Sequence, residues 1–393
     1  FAAAGLTVTE AREREVRFTD AYQSITQHLV YRLGNGRPRA PQDVVDGELV
    51  VLGGSSHADT LADLKATLPA LQWQTDHDAG ADFLIYQVHT GDIDYTIADS
   101  NEFAISRQHY PTVRSAFELK AGDALAWAFP RDGDDSLYDA AQTYLSSLEE
   151  SGELARLLER YYGHTDRFDY VGTRRFLRHI QSRLPRYRAW FEEAGEQVGM
   201  DWRLLAAVGY QESHWNPAAV SPTGVRGIMM LTQATARQLG IPDRTDPRAS
   251  ILGGARYVRR VRGKIPERIR EPDRTWLALA AYNVGFGHLE DARILAEING
   301  LDPDQWPDVR TQLPLLTKRK WHSRVRYGYA RGWEPVHYVD NIRRYYDILS
   351  WALSDRNRTQ TVEPEQPAAP LPREGIEVEP PAPAATELKT TAG

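Results

Sequence analysis

The stretch DWRLLAAVGYQESHWNP, residues 201–217, decides the fold of the middle of the chain. Its apolar residues recur at helical spacing, so that Leu205 and Val208 share one face with Glu212. Pro217 disfavours helical backbone just before it, which places Glu212 near the carboxyl end of its helix. Burial and the negative end of the helix dipole both raise the pKa of such a carboxyl. That property suits a general acid, although the pattern alone also allows a paired or exposed glutamate.

Three sequence motifs follow in order from this helix. They are ESHWNPAAVSPTGVRGIMMLTQATA at 212–236, AYNVGFG at 281–287 and EPVHYV at 334–339. Together they resemble the signature of the soluble-type lytic murein transglycosylases, whose fold is lysozyme-like. The resemblance implies a mainly α-helical catalytic domain that cleaves peptidoglycan between N-acetylmuramic acid and N-acetylglucosamine.

By this resemblance Glu212 first protonates the glycosidic oxygen. It then acts as a base while the muramic C6 hydroxyl attacks C1 and leaves a 1,6-anhydro end. Most glycosidases need a second carboxylate, but this family does without one, so we expect Glu334 to be an ion-pair or hydrogen-bond partner. A water-using muramidase of the goose-lysozyme type and a non-catalytic glycan-binding module remain alternatives. The other nearby carboxylates are expected to be solvated or helix-capping: Asp243, Asp246, Glu271, Asp273 and Glu290.

The motifs also supply candidates for sugar binding. Gly224 and Gly227 let the backbone approach a sugar closely, and neighbouring methionines supply a flexible apolar wall. Tyr282 and Asn283, at the end of an apolar helix before two glycines, can present an aromatic face and an amide. The commonest family pattern has Gln in the place of Met230, so a substrate hydrogen bond from that Gln is missing here. The resemblance implies substrate-binding roles for Ser213, Ser221, Gly227, Met229, Met230, Tyr282, Asn283, Glu334 and Tyr338.

Residues 1–163 show a different pattern. β-rich runs at 48–52 and 94–98 alternate with helical patterns at 58–68 and 81–89. Strand-helix-strand units of this kind predict an α/β domain with a mainly parallel sheet.

The chain becomes helical from about residue 174, so we place a domain boundary near 164–173. The predicted organisation is an α/β domain at 1–163, the catalytic domain at 164–357 and a tail at 358–393. From Thr359 onward the chain has seven Pro, six Glu and no aromatic residue. Such a segment buries too little apolar surface to fold, so we predict that it is disordered.

Segments at 4–12, 16–22 and 91–99 resemble the solute-binding proteins that serve amino-acid uptake. The resemblance implies a first lobe that lacks its opening strands, and a membrane-bound subgroup of the transglycosylases joins such a domain to a catalytic one. A cell-wall peptide or muropeptide closing the two lobes would then regulate access to Glu212. The alternative is a domain that only positions the enzyme, with turn and capping residues in the cleft. The resemblance implies a ligand site at Thr7, Arg12, Ser55, Ser56 and Asp99.

Charge is distributed unevenly along the chain. Residues 1–163 hold 13 basic and 26 acidic residues, 164–357 hold 31 and 22, and 358–393 hold 3 and 6. The basic middle indicates an anionic polymer as partner, or else ordinary solvated arginine-rich helices. We expect peptidoglycan strands and not nucleic acid, because no basic motif interleaves with aromatics as nucleic-acid binding requires.

Composition excludes several classes of protein. The chain has no Cys, which removes disulfide scaffolds, thiolate zinc sites and cysteine nucleophiles. Its histidines lack paired metal-binding spacing, so neither a metal nor a cofactor is expected. No window approaches the roughly 20 consecutive apolar residues of a membrane-spanning helix. We expect a periplasmic protein, peripheral to the outer membrane of a Gram-negative bacterium, whose targeting signal is not in this sequence.

Overall fold

The computed structural model describes residues 1–132, 134–165, 170–221 and 224–361. The chain divides into two compact units, Phe1–Ala352 and Leu353–Gly393. Every site discussed below lies in the first unit. Among the described residues, none of the helices has the length and hydropathy needed to cross a bilayer.

The amino-terminal part contains seven described strands: β1 Ala2–Thr7, β2 Val16–Phe18, β3 Gln23–Arg32, β4 Val50–Leu52, β5 Gln74–Asp76, β6 Tyr95–Asp99 and β7 Val113–Pro130. Five of them form an antiparallel sheet in the order β1-β7-β3-β6, with β2 also paired to β7. A separate parallel pair joins β4 and β5.

The prediction of a mainly parallel sheet is wrong. The strand at 48–52 and the helix at 58–68 are present, and with β5, which was not predicted, they form the parallel β4–β5 pair. The larger sheet is instead organised by two long strands, β3 and β7, which pair antiparallel with each other and with their other neighbours. Pairing between distant segments sets strand direction, and the short runs recognised in the sequence carry no information about it.

Helices cover both faces of this sheet. Leu29 and Val30 are consecutive on β3 and therefore point to opposite faces, each into its own buried apolar cluster. The predicted helices at 58–68 and 81–89 and the strand at 94–98 are confirmed with small shifts of their ends. The helices are α1 Glu10–Glu13, α2 Ser56–Thr67, α3 Ala81–Thr90, α4 Ser100–His109, α5 Ser136–Glu150 and α6 Glu153–Tyr162, with a short 3-10 helix at Pro41–Val44.

The rest of the chain is helical, as predicted. The central helix is α9 (Trp202–Ser213), since every residue from Leu204 to Tyr210 is buried. Helix α8 (Arg188–Val198) packs against both α9 and α11 (Pro247–Arg262). The helices are α7 Tyr170–Ser182, α8 Arg188–Val198, α9 Trp202–Ser213, α10 Gln233–Gln238, α11 Pro247–Arg262, α12 Asp273–Val284, α13 Phe286–Ile298, α14 Trp306–Gln312, α15 Arg319–His322 and α16 Trp333–Thr361, with 3-10 helices at Leu184–Arg186 and Leu313–Thr317.

Ion pairs connect α6 to this helical part. Arg160 lies 2.6 Å from Asp273 of α12, and Glu159 lies 2.5 Å from Arg310 of α14. Arg310 also pairs at 2.8 Å with Asp340 of α16. Asp273 is only 3% exposed, so the expectation that it is solvated is wrong, although its Oδ1 accepts the N–H of Trp306, the first residue of α14. Its ion-pair partner lies 113 positions earlier in the chain, where no local pattern could reveal it.

The predicted domain boundary at 164–173 covers the connection between α6 and α7 and the first residues of α7, and residues 166–169 lie outside the described residues. Residues 358–361 of the predicted disordered tail continue α16. The remainder of that tail, from residue 362, also lies outside the described residues.

Candidate active site

Glu212 is the penultimate residue of α9, so the predicted helix and its end are confirmed. The chain leaves the helix through His214 and Trp215, whose φ angles are 52° and 56°. These left-handed conformations are unusual for residues other than glycine. The Trp215 side chain is buried, and its indole N–H donates to the carbonyl of Ala206 at 2.8 Å. The anchored tryptophan therefore fixes the end of the helix and with it the position of Glu212.

Glu212 is half-buried as a residue, and its carboxyl group accepts a hydrogen bond from the Tyr338 hydroxyl at 2.5 Å. Burial raises the pKa of Glu212 to about 7, while the Tyr338 hydrogen bond opposes that rise. This confirms the predicted direction of the shift. A carboxyl with this pKa is divided between its two protonation states near neutral pH, so it can give and take a proton.

Tyrosines surround this carboxyl. The ring of Tyr282, on α12, lies nearly parallel to that of Tyr338 with centroids 6.3 Å apart, and Tyr257 meets Tyr282 edge-on. The Tyr282 hydroxyl donates to the carbonyl of Met229 at 2.8 Å. Burial, followed by the charge of Glu212, raises the pKa of both Tyr282 and Tyr338 well above the usual phenol value. Both phenols therefore stay protonated and act as hydrogen-bond donors.

The loop after α9 is held by buried hydroxyl groups. Ser213 Oγ lies 2.9 Å from the Ile228 carbonyl and accepts a hydrogen bond from the Asn216 N–H at 3.2 Å. Ser250 Oγ accepts from the Met229 N–H at 3.1 Å. The hydroxyl of Ser213 is thus engaged with main-chain groups of the loop, and Ser250, which the motifs do not include, holds the loop from α11.

Gly227 is needed for a reason other than the one expected. Its φ is +86°, and a Cβ atom there would overlap the carbonyl oxygen of Arg244. The close neighbour is thus the protein's own backbone, whereas we expected a sugar. Gly287 lies inside α13 and does not interrupt it. A Cβ atom at Gly287 would lie 2.7 Å from the ring of Tyr327, so the glycine makes room for that ring.

The two methionines differ in exposure. Met229 has no exposed surface and packs against Gly254, so its side chain does not form the expected apolar wall. Met229 is buried because α11, which contains Gly254, packs over this part of the loop. Met230 is half-buried with a φ of 44°, and Ser221 is half-buried with its Oγ accepting from the Val225 N–H at 3.1 Å. Asn283 is exposed at the end of α12.

Glu334 forms an exposed ion pair with Arg331 at 3.2 Å, which agrees with the expectation that it is an ion-pair partner. The pKa of Glu212 is shifted by burial and by Tyr338, and no carboxylate of the described chain is among the causes. The remaining carboxylates are mostly as expected: Asp246 caps α11, Asp243 accepts from Thr245, and Glu271 and Glu290 pair with Arg262 and Arg293.

Asp291 is a buried carboxylate that sequence reasoning missed. It has no exposed surface and accepts the backbone N–H groups of Arg326, Tyr327 and Gly328 at 3.1, 2.9 and 2.9 Å. In the sequence it looks like an ordinary polar position of an amphipathic helix. Its partners lie 35 to 37 residues away, so nothing local indicates them.

The candidate ligand residues of the amino-terminal part lie mostly together. Ser56 Oγ lies 3.2 Å from the Thr7 hydroxyl, and Arg12 donates to the Thr7 and Gly54 carbonyls. A cavity of about 580 Å³ beside them is lined in part by Ser56 and Lys120.

Two of these candidates have other partners. Ser55 caps α2, accepting from the Ala58 N–H, as the turn-and-capping alternative expects. Asp99 instead lies 2.9 Å from His57 in a buried pair. No cluster of potential metal ligands occurs within the described ranges.

Two family models match the chain. "Bacterial extracellular solute-binding proteins, family 3" matches residues 1–164, and "Transglycosylase SLT domain" matches residues 189–297. Both parts of the predicted fold class are therefore confirmed.

Curated relatives are similar over most of the chain. Membrane-bound lytic murein transglycosylase F 1 of Alkalilimnicola ehrlichii is 53% identical over 384 residues, covering 94% of this chain and 78% of that protein. Membrane-bound lytic murein transglycosylase F of Stutzerimonas stutzeri is 49% identical over 359 residues, covering 91% and 74%. Among solved structures, an ancestral arginine-binding protein bound to arginine matches 40% of this chain and 70% of its own at 19% identity and a TM-score of 0.37.

Proposed function

We propose that Glu212 is the catalytic acid and base of this chain, which belongs to the membrane-bound lytic murein transglycosylase F family and is a peptidoglycan lytic transglycosylase. The observation that carries the proposal is the state of this carboxyl. It lies at the end of α9 with a pKa of about 7 and accepts a hydrogen bond from Tyr338, and no carboxylate of the described residues contributes to its shift.

The reaction uses one carboxyl twice. Protonated Glu212 gives its proton to the oxygen that links C1 of N-acetylmuramic acid to N-acetylglucosamine, and the C1–O bond breaks. The carboxylate then takes the proton of the muramic C6 hydroxyl as that oxygen bonds to C1. Glu212 returns to its protonated form, the product ends in a 1,6-anhydro sugar, and no water is consumed.

Tyr338 acts in this scheme as a positioning residue. Its hydroxyl donates to Oε1 of Glu212, which leaves Oε2 to carry the transferable proton. Tyr282, fixed by the Met229 carbonyl, holds the adjacent aromatic surface in place. The remaining predicted contacts at Ser213, Ser221, Met230, Asn283 and Glu334 stay proposals for the sugar-binding groove.

Product analysis tests this function. Purified peptidoglycan is incubated with the wild-type protein and with Glu212→Gln, and the products are identified by mass spectrometry. Anhydro-muropeptides from the wild type alone are the expected result. Reducing-end products would instead indicate a water-using muramidase, and no release by either protein would indicate a glycan-binding module.

We further propose that the domains are 1–163, 164–357 and 358–393, and that the first is regulatory. A cell-wall peptide or muropeptide would bind the cavity beside Thr7, Arg12 and Ser56. Two ion pairs support this proposal, since Glu159 of α6 pairs with Arg310 and Arg310 pairs with Asp340, two residues after Tyr338. We place the protein in the periplasm, attached peripherally to the outer membrane.

Muropeptide titration tests the regulatory role. Binding is expected to raise the melting temperature and to change turnover, and Arg12→Gln should remove both effects because it loses contacts to the Thr7 and Gly54 carbonyls. Unchanged melting and turnover in the wild type would exclude this regulation and favour a domain that only positions the enzyme.

A further inference from the structure

A strongly basic segment that precedes α16 in the chain has no role in the proposed reaction. The segment KRKWHSRVRYGYARGW, residues 318–333, contains six Lys or Arg and no acidic residue. All six of these basic side chains are exposed. Three aromatic side chains are also exposed, namely Tyr327 by 54%, Tyr329 by 59% and Trp333 by 48%. We name residues 318–333 the cationic segment.

Most of these charges lack a carboxylate partner. Within the described part of the chain, no carboxylate forms an ion pair with Lys318, Arg319, Lys320, Arg324 or Arg326, whereas Arg310 and Arg293 each pair with two. The cations rest on aromatic rings instead. Lys320 and Arg324 lie 5.2 and 5.5 Å from the Trp321 ring, and Arg326 lies 5.5 Å from the Tyr327 ring. Such contacts hold the cations in place and leave their N–H donors open to a ligand.

The backbone of the cationic segment is firmly held. The Asp291 carboxylate accepts three consecutive N–H groups from residues 326–328. Tyr327 packs over Gly287, and Gly332 lies directly against the Leu313 carbonyl, where a Cβ atom would overlap. A surface held in one conformation loses little entropy on binding.

The carboxyl-terminal end of the cationic segment leads directly into the helix that contacts the catalytic carboxyl. Its last residue, Trp333, is the first residue of α16, and Tyr338 follows five residues later. At a rise of 1.5 Å per residue this is about 7.5 Å along the helix axis. Tyr338 in turn binds Glu212.

We propose that the cationic segment binds the acidic stem peptides of peptidoglycan next to the bond that is cleaved. This proposal rests on the proposed function. Each stem is attached to a muramic acid, so a sugar held at Glu212 brings free carboxylates into this neighbourhood. Lys and Arg bind carboxylates through charge-assisted hydrogen bonds, and the exposed tyrosines and tryptophan offer apolar contact to peptide side chains. The enzyme therefore distinguishes peptide-bearing from bare glycan at this surface.

Binding measurements in the Glu212→Gln variant of the whole chain, which is expected to bind glycan without cleaving it, test the idea. The ligands are soluble glycan chains with stem peptides and the same chains after the stems are removed by an amidase. We compare Arg319→Gln/Lys320→Gln/Arg324→Gln with the control Arg237→Gln/Arg256→Gln/Arg270→Gln, which removes the same charge from exposed positions elsewhere. All six positions are exposed, and matching melting temperatures would verify folding.

The parent protein should bind the stem-bearing chains at least about tenfold more tightly, the effect of one charged hydrogen bond. The segment variant should lose that preference, and the control should keep it. Equal affinity of the parent for both glycans, or a preference that survives in the segment variant, would overturn the proposal. Binding to phosphatidylglycerol vesicles is measured in parallel. A segment variant that kept its preference for stem-bearing chains but lost its binding to vesicles would assign the surface to lipid. Failure of the proposed function appears separately, as absence of anhydro products from the wild-type enzyme.

Discussion

The hydroxyl oxygen of Tyr338 lies 2.5 Å from Oε1 of Glu212, although 126 positions separate the two residues in the chain. This hydrogen bond joins the first helix turns of α16 to the last turn of α9. It stabilises the charged form of the carboxyl, against the stronger effect of burial. The acidity of Glu212 is therefore set jointly by two distant segments.

Tyr338→Phe is expected to raise the pKa of Glu212 further, because it removes the hydrogen bond that lowers it. A hydrogen bond to a charged group contributes about 1.5–3 kcal/mol, so the shift is about one pH unit or more. Since the first step needs protonated Glu212, the alkaline limb of kcat/KM against pH should move upward. Tyr257→Phe, which alters a neighbouring phenol, should leave the limb in place. An unmoved limb in Tyr338→Phe would contradict the positioning role.

Glu212→Gln is expected to make stability less dependent on pH. The pKa of Glu212 rises from 4.5 to about 7 on folding, so the folded protein holds this proton more tightly. The free energy of unfolding therefore falls as pH rises from 4.5 to 7 and stays low above that, by about 2–3 kcal/mol. Urea unfolding at pH 5 and pH 8 should show the variant gaining stability relative to wild type at pH 8. An equal difference at both pH values would mean that burial does not perturb Glu212.

Asp273→Asn should destabilise the protein by about 3 kcal/mol, because it leaves the largely buried Arg160 without its charged partner. The matched control is Glu334→Gln, which breaks an exposed ion pair worth about 0–1 kcal/mol. Thermal unfolding of both variants measures the contrast. Similar losses in the two would show that the junction between α6 and α12 contributes little.

Gly227→Ala should destabilise the protein by more than 2 kcal/mol, since its Cβ overlaps the Arg244 carbonyl in addition to the cost of a positive φ of about 1–2 kcal/mol. Gly224→Ala has a similar φ of +78° and open space around it, so only the backbone cost applies. Denaturant unfolding of the pair separates overlap from backbone strain. Equal losses would mean that the loop moves to accommodate the methyl group.

Patterns among neighbouring residues were sufficient to predict part of this structure. The spacing of Leu205, Val208 and Glu212 and the position of Pro217 indicate α9 and its end, because both depend on neighbours within a few residues. The apolar face of α9 also indicates the direction of the pKa shift of Glu212, but the opposing hydrogen bond comes from the distant Tyr338. The antiparallel sheet was not predicted, since β3 and β7 are paired across about ninety positions.

Side-chain environments set by distant segments were missed for the same reason. Asp273 and Asp291 read as polar surface positions until α6 and the segment near residue 327 cover them. Met229 was assigned to a sugar-contacting wall because the motif alone does not show the helix packed over it. What the sequence cannot supply is the partner that folding brings from elsewhere in the chain.

The described non-glycine residues with a positive φ are His214, Trp215 and Met230, and they bracket the loop that follows Glu212. Such conformations cost about 1–3 kcal/mol each. The molecule thus concentrates its unfavourable backbone geometry around its reactive carboxyl. Substitutions that remove the backbone strain at these three positions are expected to raise the melting temperature of the protein and to lower its catalytic rate.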